Sequence, residues 1–305
     1  MLNITSIAEF TGKELEELVD LGISIKQNPE QYVTHAANKG LVILMEKTST
    51  RTTTSFAAGI SELGGWFLNL DWAKSNLTIS PLKYEARYLS SNCSIIMARV
   101  KLHKTFKELT DHSTVPVING CDDRFHPSQI LADLITIKET AGKLSGVTLT
   151  YVGIHNNVVN SMILACKLVG INLRLVTPLI NDPSFDEELI QNAKESGLVR
   201  WFDTLEEGAK GADFVYTDTW IDMEWFSDDS YAEERERRMQ LMMPFQLNRE
   251  NLGDSNPYIM HDMPVHPGFE ISEDLIDDPK SIIFQQAENR LYSAKALILT
   301  CLQLS

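Results

Sequence analysis

The sequence predicts an α/β fold with two doubly wound parallel-sheet domains and a C-terminal helix that crosses back to the first domain. In both halves of the chain, short apolar runs of strand length alternate with segments whose apolar residues recur at helical spacing. The 305 residues suit two domains of ordinary size. A hydrophobic fraction of 43% and a charged fraction of 23% are typical of a globular protein with a buried core.

The first half of the chain supplies the elements of one sheet. Apolar residues at helical spacing predict helices at 7–26, 54–63, 81–91 and 126–141, the last of which ends at Gly142. Short apolar runs predict strands at 41–46, 66–70, 94–100 and 115–120. Strands that alternate with helices are joined by crossovers, so we expect these strands to pair in parallel.

The second half repeats this pattern. It predicts strands at 147–153, 172–178 and 214–218, and helices at 157–170 and 186–197. We therefore expect a first domain over 1–141, a second over 147–286 and a hinge near 141–147. A last helix at 287–304 would return to the first domain. Ligands of such sheets bind beyond the carboxyl ends of the strands, so functional residues are expected there.

Composition and charge exclude several classes of protein. The net charge of −15 has the wrong sign for general binding to nucleic acid, so an anionic ligand needs a local basic pocket. No apolar run approaches the roughly 18 residues of a membrane span, and the first residues do not resemble a signal peptide. We expect a cytoplasmic protein. The four cysteines form no CxxC pair, which favours buried free thiols over a zinc site.

A polar segment with the sequence EKTSTRTTTSF, at 46–56, follows the first predicted strand and leads into a helix. The N–H groups of a helix N-terminus, the hydroxyls of Ser49, Thr50 and Thr52, and the guanidinium of Arg51 together suit a phosphate. The alternative is that Ser49 and Thr50 only cap the helix. The segment lacks the GxxxxGK[ST] pattern and is not a nucleotide P-loop.

Three further residues stand near the carboxyl ends of predicted strands. Arg99 is expected at the end of the third strand, either as a rim residue or as a second ligand for an anion. His126 precedes Pro127 at a predicted helix start, with Gln129 on the same face, and the two could hold a carbonyl oxygen. A structural or capping histidine is the alternative.

The second half offers candidates for a small polar or cationic ligand. Asn157 follows a strand within YVGIHNNVVNS, a segment with one glycine and no GxGxxG, so NAD binding is not expected. Local capping is the other interpretation of Asn157. Asp218 and Asp222, with Glu224 near them, would favour an ammonium group, although a solvated acidic loop is the alternative.

Taken together, these motifs resemble the carbamoyltransferase family that includes the ornithine and aspartate carbamoyltransferases. The agreement in order and spacing extends over nearly the whole chain and rests on STRT at 49–52, Arg99, HPSQ at 126–129 with Asp133, NNVVNS at 156–161, VYTDTW at 215–220 and ENRLYSAKA at 288–296. The resemblance implies carbamoyl transfer from carbamoyl phosphate to an amine, without metal or organic cofactor. It also implies a homotrimer whose active site lies between domains at a subunit interface, and a place in arginine biosynthesis.

The resemblance also implies a role for each matching residue. Ser49, Thr50, Arg51, Thr52, Arg99 and Arg290 would bind the phosphate of carbamoyl phosphate. His126 and Gln129 would polarise its carbonyl group. Fixed donors of this kind stabilise the charge that develops in the tetrahedral intermediate, by about 3 kcal/mol for one such donor. The amine must react in its deprotonated form, because an ammonium has no lone pair.

On the acceptor side the segment VYTDTW resembles the ornithine branch, in which Asn157, Asp218 and Met223 would contact the groups on the α-carbon. The sequence departs from that branch at two places. Asp222, Met223 and Glu224 stand where SMG is usual, and His261, Asp262, Met263 and Pro264 stand where HCLP is usual. We expect Asp222, Asp262 and Met263 to reshape the acceptor pocket, with Asp262 steadying an ammonium or accepting the proton of the nucleophile. The alternative is that Asp222 faces solvent and ornithine remains the acceptor.

Three functions are compatible with these residues. The first is an active carbamoyltransferase that uses ornithine or an ornithine-like diamino acid. The second carbamoylates a different amine, such as putrescine, a shorter diamino acid or an N-acylated ornithine. The third is a catalytically silent paralogue, which the presence of a carbonyl-polarising histidine disfavours. No nucleic-acid or membrane partner is expected.

Overall fold

Two parallel sheets form the framework of the protein. The computed structural model describes residues 2–221 and 228–304. The first sheet has the strand order β2-β1-β3-β4 and the second β7-β6-β5-β8-β9. The strands are β1 Gly40–Met45, β2 Trp66–Asp71, β3 Ile95–Arg99, β4 Val117–Cys121, β5 Thr148–His155, β6 Asn172–Ile180, β7 Val199–Trp201, β8 Phe214–Thr217 and β9 Tyr258–His261. The predicted fold class of two parallel-sheet α/β domains is confirmed.

Helices connect the strands and cover the sheets. They are α1 Gly12–Gln27, α2 Thr50–Glu62, α3 Leu82–Ser90, α4 His103–His112, α5 Pro127–Ala141, α6 Asn157–Val169, α7 Glu187–Glu195, α8 Leu205–Ala209, α9 Ala232–Met242, α10 Arg249–Leu252, α11 Glu273–Ile276 and α12 Ile283–Leu302. Among the described residues, no helix is both long and apolar enough to cross a membrane.

Local sequence explains most of the helix ends. The predicted first helix splits, because Ile7–Glu9 form a single 3-10 turn and α1 begins only after Thr11, which makes a capping box with Glu14. Helix α2 begins at Thr50, four residues before its predicted start, because Ser49 accepts a hydrogen bond from the Thr52 N–H and caps it. Gly142 ends α5 in the left-handed conformation, as expected.

The sequence interpretation missed β7, β9, α4 and α9. Strands β7 and β9 are only three and four residues long, which is too short for a clear alternation. Helix α9, with the sequence AEERERRMQLM, buries only Met242 and has no wide apolar face to reveal it.

Helix α12 joins the two halves of the molecule. It packs against α1, α2 and α5 beside the first sheet and also contacts β9 of the second. One continuous apolar cluster includes Ile43 from the first sheet, Leu149 from the second and Leu297 from α12. The predicted return of the last helix to the first domain is confirmed, although the helix begins at Ile283, four residues before its predicted start.

Candidate active site

A cavity of about 940 Å³ opens where the carboxyl ends of the two sheets face each other. Its wall includes residues at or just beyond the ends of β1, β3, β4, β5, β8 and β9. Strand register brings some of these ends together. Met45 pairs with Arg99 in the first sheet, and Thr217 pairs with His261 in the second, so Asp218 and Asp262 emerge side by side. The position agrees with the expectation that ligands bind beyond the carboxyl ends of parallel strands.

The N-terminus of α2 forms one side of the cavity. Ser49 and Arg51 belong to the wall. The Ser49 hydroxyl donates to the Thr52 hydroxyl at 3.1 Å, and Thr52, which is fully buried, also accepts from Arg290 Nη2 at 3.3 Å. Successive helix residues point roughly 100° apart, so the Thr50 and Thr52 side chains lie outside the wall. Thr52 therefore contacts the arginine and Ser49 rather than the open cavity.

Three guanidinium groups converge on the same end of the cavity. Arg51, Arg99 and Arg290 come from α2, β3 and α12, and all three belong to the wall. Burial, together with the charges of Arg99 and Arg51, lowers the pKa of Arg290 to about 10. Burial also lowers the pKa of Arg51, against the opposing effect of Asp262. Cations held this close repel one another, so an anion bound between them is strongly favoured.

Two of these arginines retain unused donors. Nε of Arg99 and Nε of Arg290 are buried and find no hydrogen-bond partner in the described part of the chain. A buried donor without a partner is costly and points to a ligand that supplies the acceptor.

His126 and Gln129 lie beside the arginines, at the start of α5. The His126 backbone N–H donates to Ser161 Oγ at 2.8 Å, and the ring Nδ1 lies 3.4 Å from the Ser128 hydroxyl. Burial, followed by the charges of Arg290, Arg99 and Arg51, holds the pKa of His126 well below its ordinary value, so the ring is neutral near pH 7. The tautomer in which the Ser128 hydroxyl donates to Nδ1 places the ring proton on Nε2.

The Gln129 amide has one permitted orientation. Its Oε1 accepts from Arg290 Nη1, and its Nε2 donates to Asp133 at 2.9 Å. Burial raises the pKa of Asp133 to about 7, although hydrogen bonds from Gln286 and Gln129 oppose this effect. One Nε2 hydrogen of Gln129 remains for a ligand in the cavity.

The part of the cavity wall that we call the acceptor end carries the carboxyl groups of Asp218 and Asp262, both of which act on the pKa of Arg51. Asn156 Nδ2 donates to Asp218 Oδ2 at 2.6 Å, and the Asn157 amide donates to the Asp122 carbonyl at 2.6 Å. Burial is the main reason that the pKa of Asp262 stands well above its usual value, and the adjacent Asp218 raises it further. Asp262 Oδ1 is buried without a hydrogen-bond partner among residues 2–221 and 228–304.

The structure thus brings Asn157, Asp218, Asp262 and Met263 into one cavity wall with the three arginines. The remaining predicted acceptor residues, Asp222 and Met223, lie outside the described residues, as does Glu224.

Sequence reasoning missed the residues that hold the loop carrying Asp262. His261 Nδ1 accepts from the Met263 backbone N–H at 2.8 Å, so Nε2 carries the ring proton and donates to Glu270 at 3.0 Å. Burial would raise the pKa of Glu270, but hydrogen bonds from His261 and His266 lower it to about 2. The two histidines of HDMPVH, with a glutamate four residues after the second, are the signal that could have indicated this arrangement.

Known proteins match this chain over its full length. The family model for the carbamoyl-phosphate-binding domain of aspartate/ornithine carbamoyltransferase matches residues 3–139, and the model for the Asp/Orn-binding domain matches residues 145–301. Ornithine carbamoyltransferase of Archaeoglobus fulgidus is 38% identical over 308 residues, covering 99% of this chain and 98% of the relative. That of Thermococcus kodakarensis is 38% identical, covering 97% and 95%.

Solved structures give the same result. Ornithine carbamoyltransferase from Pyrococcus furiosus superposes with a TM-score of 0.89 at 34% identity, covering 97% of this chain and 96% of that one. The enzyme from Thermus thermophilus superposes with a TM-score of 0.86 at 34% identity, covering 98% of each chain.

Proposed function

Since the chain belongs to the aspartate/ornithine carbamoyltransferase family, we propose that it transfers the carbamoyl group of carbamoyl phosphate to the side-chain amine of ornithine or an ornithine-like diamino acid. Phosphate is the second product. The observation that carries the proposal is a single cavity whose wall includes the guanidiniums of Arg51, Arg99 and Arg290 and the carboxyls of Asp218 and Asp262. A dianionic donor and a cationic acceptor would each find the opposite charge there.

The cationic end suits the phosphate of the donor. Arg51, Arg99 and Arg290 would each donate to phosphate oxygens, together with the Ser49 hydroxyl and the backbone N–H groups of the first turn of α2, which begins at Thr50. The Thr52 N–H already donates to Ser49 Oγ. The dianion would neutralise cations that repel one another in its absence. Phosphate binding therefore removes an electrostatic repulsion that is already present in the free protein.

His126 and Gln129 suit the carbamoyl group. A neutral imidazole with its proton on Nε2 donates a hydrogen bond to the carbonyl oxygen, and the remaining Gln129 Nε2 hydrogen supplies a second donor. Charge grows on that oxygen as the amine adds to the carbonyl carbon. Donors fixed in place before the reaction therefore bind the transition state more strongly than the substrate.

The acidic end suits the amine. Asp218 and Asn157 would hold the α-carbon groups of the acceptor, with Met263 beside them, and Asp262 would accept a proton from the reacting ammonium. One N–H bond then breaks as an O–H bond forms, and the freed lone pair attacks the carbonyl carbon. The second proton leaves with the phosphate as the C–O bond breaks. Burial makes the Asp262 carboxylate a stronger base than a solvent-exposed one.

A different acceptor is the second candidate function, and the pairing of Asp218 with Asp262 favours it. Two adjacent buried carboxyl groups attract cations and repel a carboxylate. An amine without a free carboxylate, such as putrescine, would then compete with ornithine.

We infer that the chain works as a homotrimer. Edge strand β2 exposes Trp66, Phe67 and Leu68, each with more than two fifths of its surface accessible, and the following segment exposes Ile79 and Tyr88 still more. An exposed apolar edge of this kind is a surface that other chains cover, and the occupant we assign to it is a second copy of this chain. Sedimentation velocity tests this inference, because a monomer at micromolar concentration would contradict it.

The experiment for the proposed function measures phosphate release from carbamoyl phosphate across a panel of amines. The panel contains ornithine, 2,4-diaminobutyrate, putrescine and N-acetylornithine, and mass spectrometry identifies the ureido product. We expect turnover with ornithine or another diamino acid. Turnover only with putrescine or N-acetylornithine would support the second candidate, and no turnover with any amine would contradict both.

A further inference from the structure

We propose that Asp133 is a positioning residue that joins the donor and acceptor ends of the cavity through two amide hydrogen bonds. Its Oδ1 accepts from Gln129 Nε2 at 2.9 Å and from Gln286 Nε2 at 2.7 Å. Asp133, Gln129 and Gln286 are essentially inaccessible to solvent. Asp133 itself is not part of the cavity wall, so it acts through these neighbours.

The first branch leads to the donor end. Gln129 Oε1 accepts from Arg290, whose second nitrogen donates to the Thr52 hydroxyl, and Thr52 in turn accepts from Ser49. An arginine can only donate and the Asp133 oxygen accepts, so together they fix which way the Gln129 amide faces. Without Asp133, the Gln129 amide could rotate and turn its free hydrogen away from the carbonyl group.

The second branch leads to the acceptor end. Gln286 Oε1 accepts from the backbone N–H of His261 at 2.8 Å, and His261 directly precedes Asp262. Gln286 lies on α12, one turn before Arg290, so the same helix contacts both ends of the cavity. Asp133 and Gln286 lie 153 positions apart in the chain.

Four variants separate the two branches. Asp133→Leu removes the acceptor of both amides at similar volume. Asp133→Asn retains an oxygen for them, and the amide nitrogen replaces Oδ2, which is buried without a partner in the described residues. Gln286→Leu cuts only the acceptor branch. Thr136→Val, one turn further along α5, removes the hydrogen bond from Asn289 and serves as a buried control.

The positioning role predicts a split between kinetic constants, and this prediction rests on the proposed function. Asp133→Leu should lower kcat about 100-fold, the scale expected when a catalytic group is misplaced. Gln286→Leu should raise KM for the amine about tenfold and leave KM for carbamoyl phosphate unchanged, because only the acceptor loop loses a bond. Asp133→Asn should restore kcat to within about threefold of wild type, and Thr136→Val should retain it.

Binding of inorganic phosphate supplies a measurement that needs no amine. Calorimetry should show affinity weakened about fivefold in Asp133→Leu, since Arg290 loses an ordered partner, and unchanged in Gln286→Leu. If the wild-type protein transfers the carbamoyl group to no amine, the proposed function is contradicted. The phosphate-binding measurement still tests the positioning role. Equal phosphate affinity in all four variants would overturn the positioning role.

A purely structural role would give a different result. Activity would then follow the melting temperature, and Thr136→Val would lose as much activity as Asp133→Leu at equal loss of stability. If Asp133→Leu fails to fold, Gln286→Leu provides the test. An unchanged KM for the amine in Gln286→Leu would overturn the proposal.

Discussion

The two ends of the cavity differ in how they are built. At the donor end, Arg51, Arg99 and Arg290 come from three different elements, and the charges of Arg99 and Arg51 lower the pKa of Arg290. At the acceptor end, Asp218 and Asp262 follow strand residues that pair in register, and burial raises the pKa of the Asp262 carboxyl. A bound dianion relieves the repulsion between cations at the donor end, whereas the acceptor end offers a carboxylate basic enough to take a proton from an ammonium. The different charges at the two ends of one cavity thus determine where each substrate binds.

Removing one cation should have the largest effect. Arg51→Ala is expected to raise KM for carbamoyl phosphate up to about 1,000-fold, because a charged donor to the phosphate is lost from a buried site. KM for the amine should change far less. Steady-state kinetics with the donor varied at fixed amine measures this.

Arg200→Ala is the matched control for that variant, since Arg200 is exposed on β7 and stands outside the cavity wall. An unchanged KM for carbamoyl phosphate in Arg51→Ala would contradict the assignment of the donor end to phosphate binding.

Loss of the imidazole should have the next largest effect. His126→Asn is expected to lower kcat about 100-fold with little change in KM for carbamoyl phosphate, because the donor acts mainly on the developing oxyanion. Pre-steady-state measurement of phosphate release separates the chemical step from product release. A variant with wild-type kcat would show that His126 does not act at the carbonyl.

The same residue provides a prediction for pH. Burial and three arginines hold its pKa below the ordinary value of 6.5, so the ring of the ligand-free protein should remain neutral at pH 6. A bound dianion offsets the arginine charges and should move this pKa upward. Histidine resonances followed by NMR with and without phosphate test both directions.

Changing Asp262 should affect the acceptor end alone. Asp262→Cys is expected to alter kcat/KM for the amines about tenfold and to change their order of preference, because a buried carboxyl leaves the pair with Asp218. KM for carbamoyl phosphate should remain within about twofold of wild type. An unchanged order of kcat/KM among the amines would show that Asp262 does not influence acceptor choice.

The smallest effect concerns the ring orientation of His126. Ser128→Ala removes the hydroxyl that lies 3.4 Å from Nδ1 and should lower kcat about fivefold, the scale of one neutral hydrogen bond. Ser128→Thr keeps a hydroxyl and should recover most of that loss. Ser128→Ala with unchanged kcat would show that the tautomer is set by other contacts.

The sequence indicated the donor end better than the acceptor end, for a physical reason. Arg99 is the last residue of β3, and Ser49 and Arg51 follow shortly after the end of β1, so two clearly apolar strands indicate where these residues lie. Predicting that Thr52 points away from the cavity requires the exact start of α2, which its cap, Ser49, sets four residues before the predicted start.

The links to the acceptor end could not be derived from local patterns. The contact of Asp133 with Gln286 depends on how distant segments pack. No periodicity in the sequence encodes a hydrogen bond between residues more than a hundred positions apart. Short β9 and the polar α9, both near this end, were missed for the same lack of a local signal.

The most direct test of the charge-separated cavity is a crystal structure with a non-hydrolysable methylene analogue of carbamoyl phosphate. The account predicts that phosphonate oxygens lie within hydrogen-bonding distance of Arg51, Arg99 and Arg290, with the amide carbonyl against His126 and an open space beside Asp218 and Asp262. A phosphonate bound elsewhere, or one that contacts fewer than two of these arginines, would contradict it.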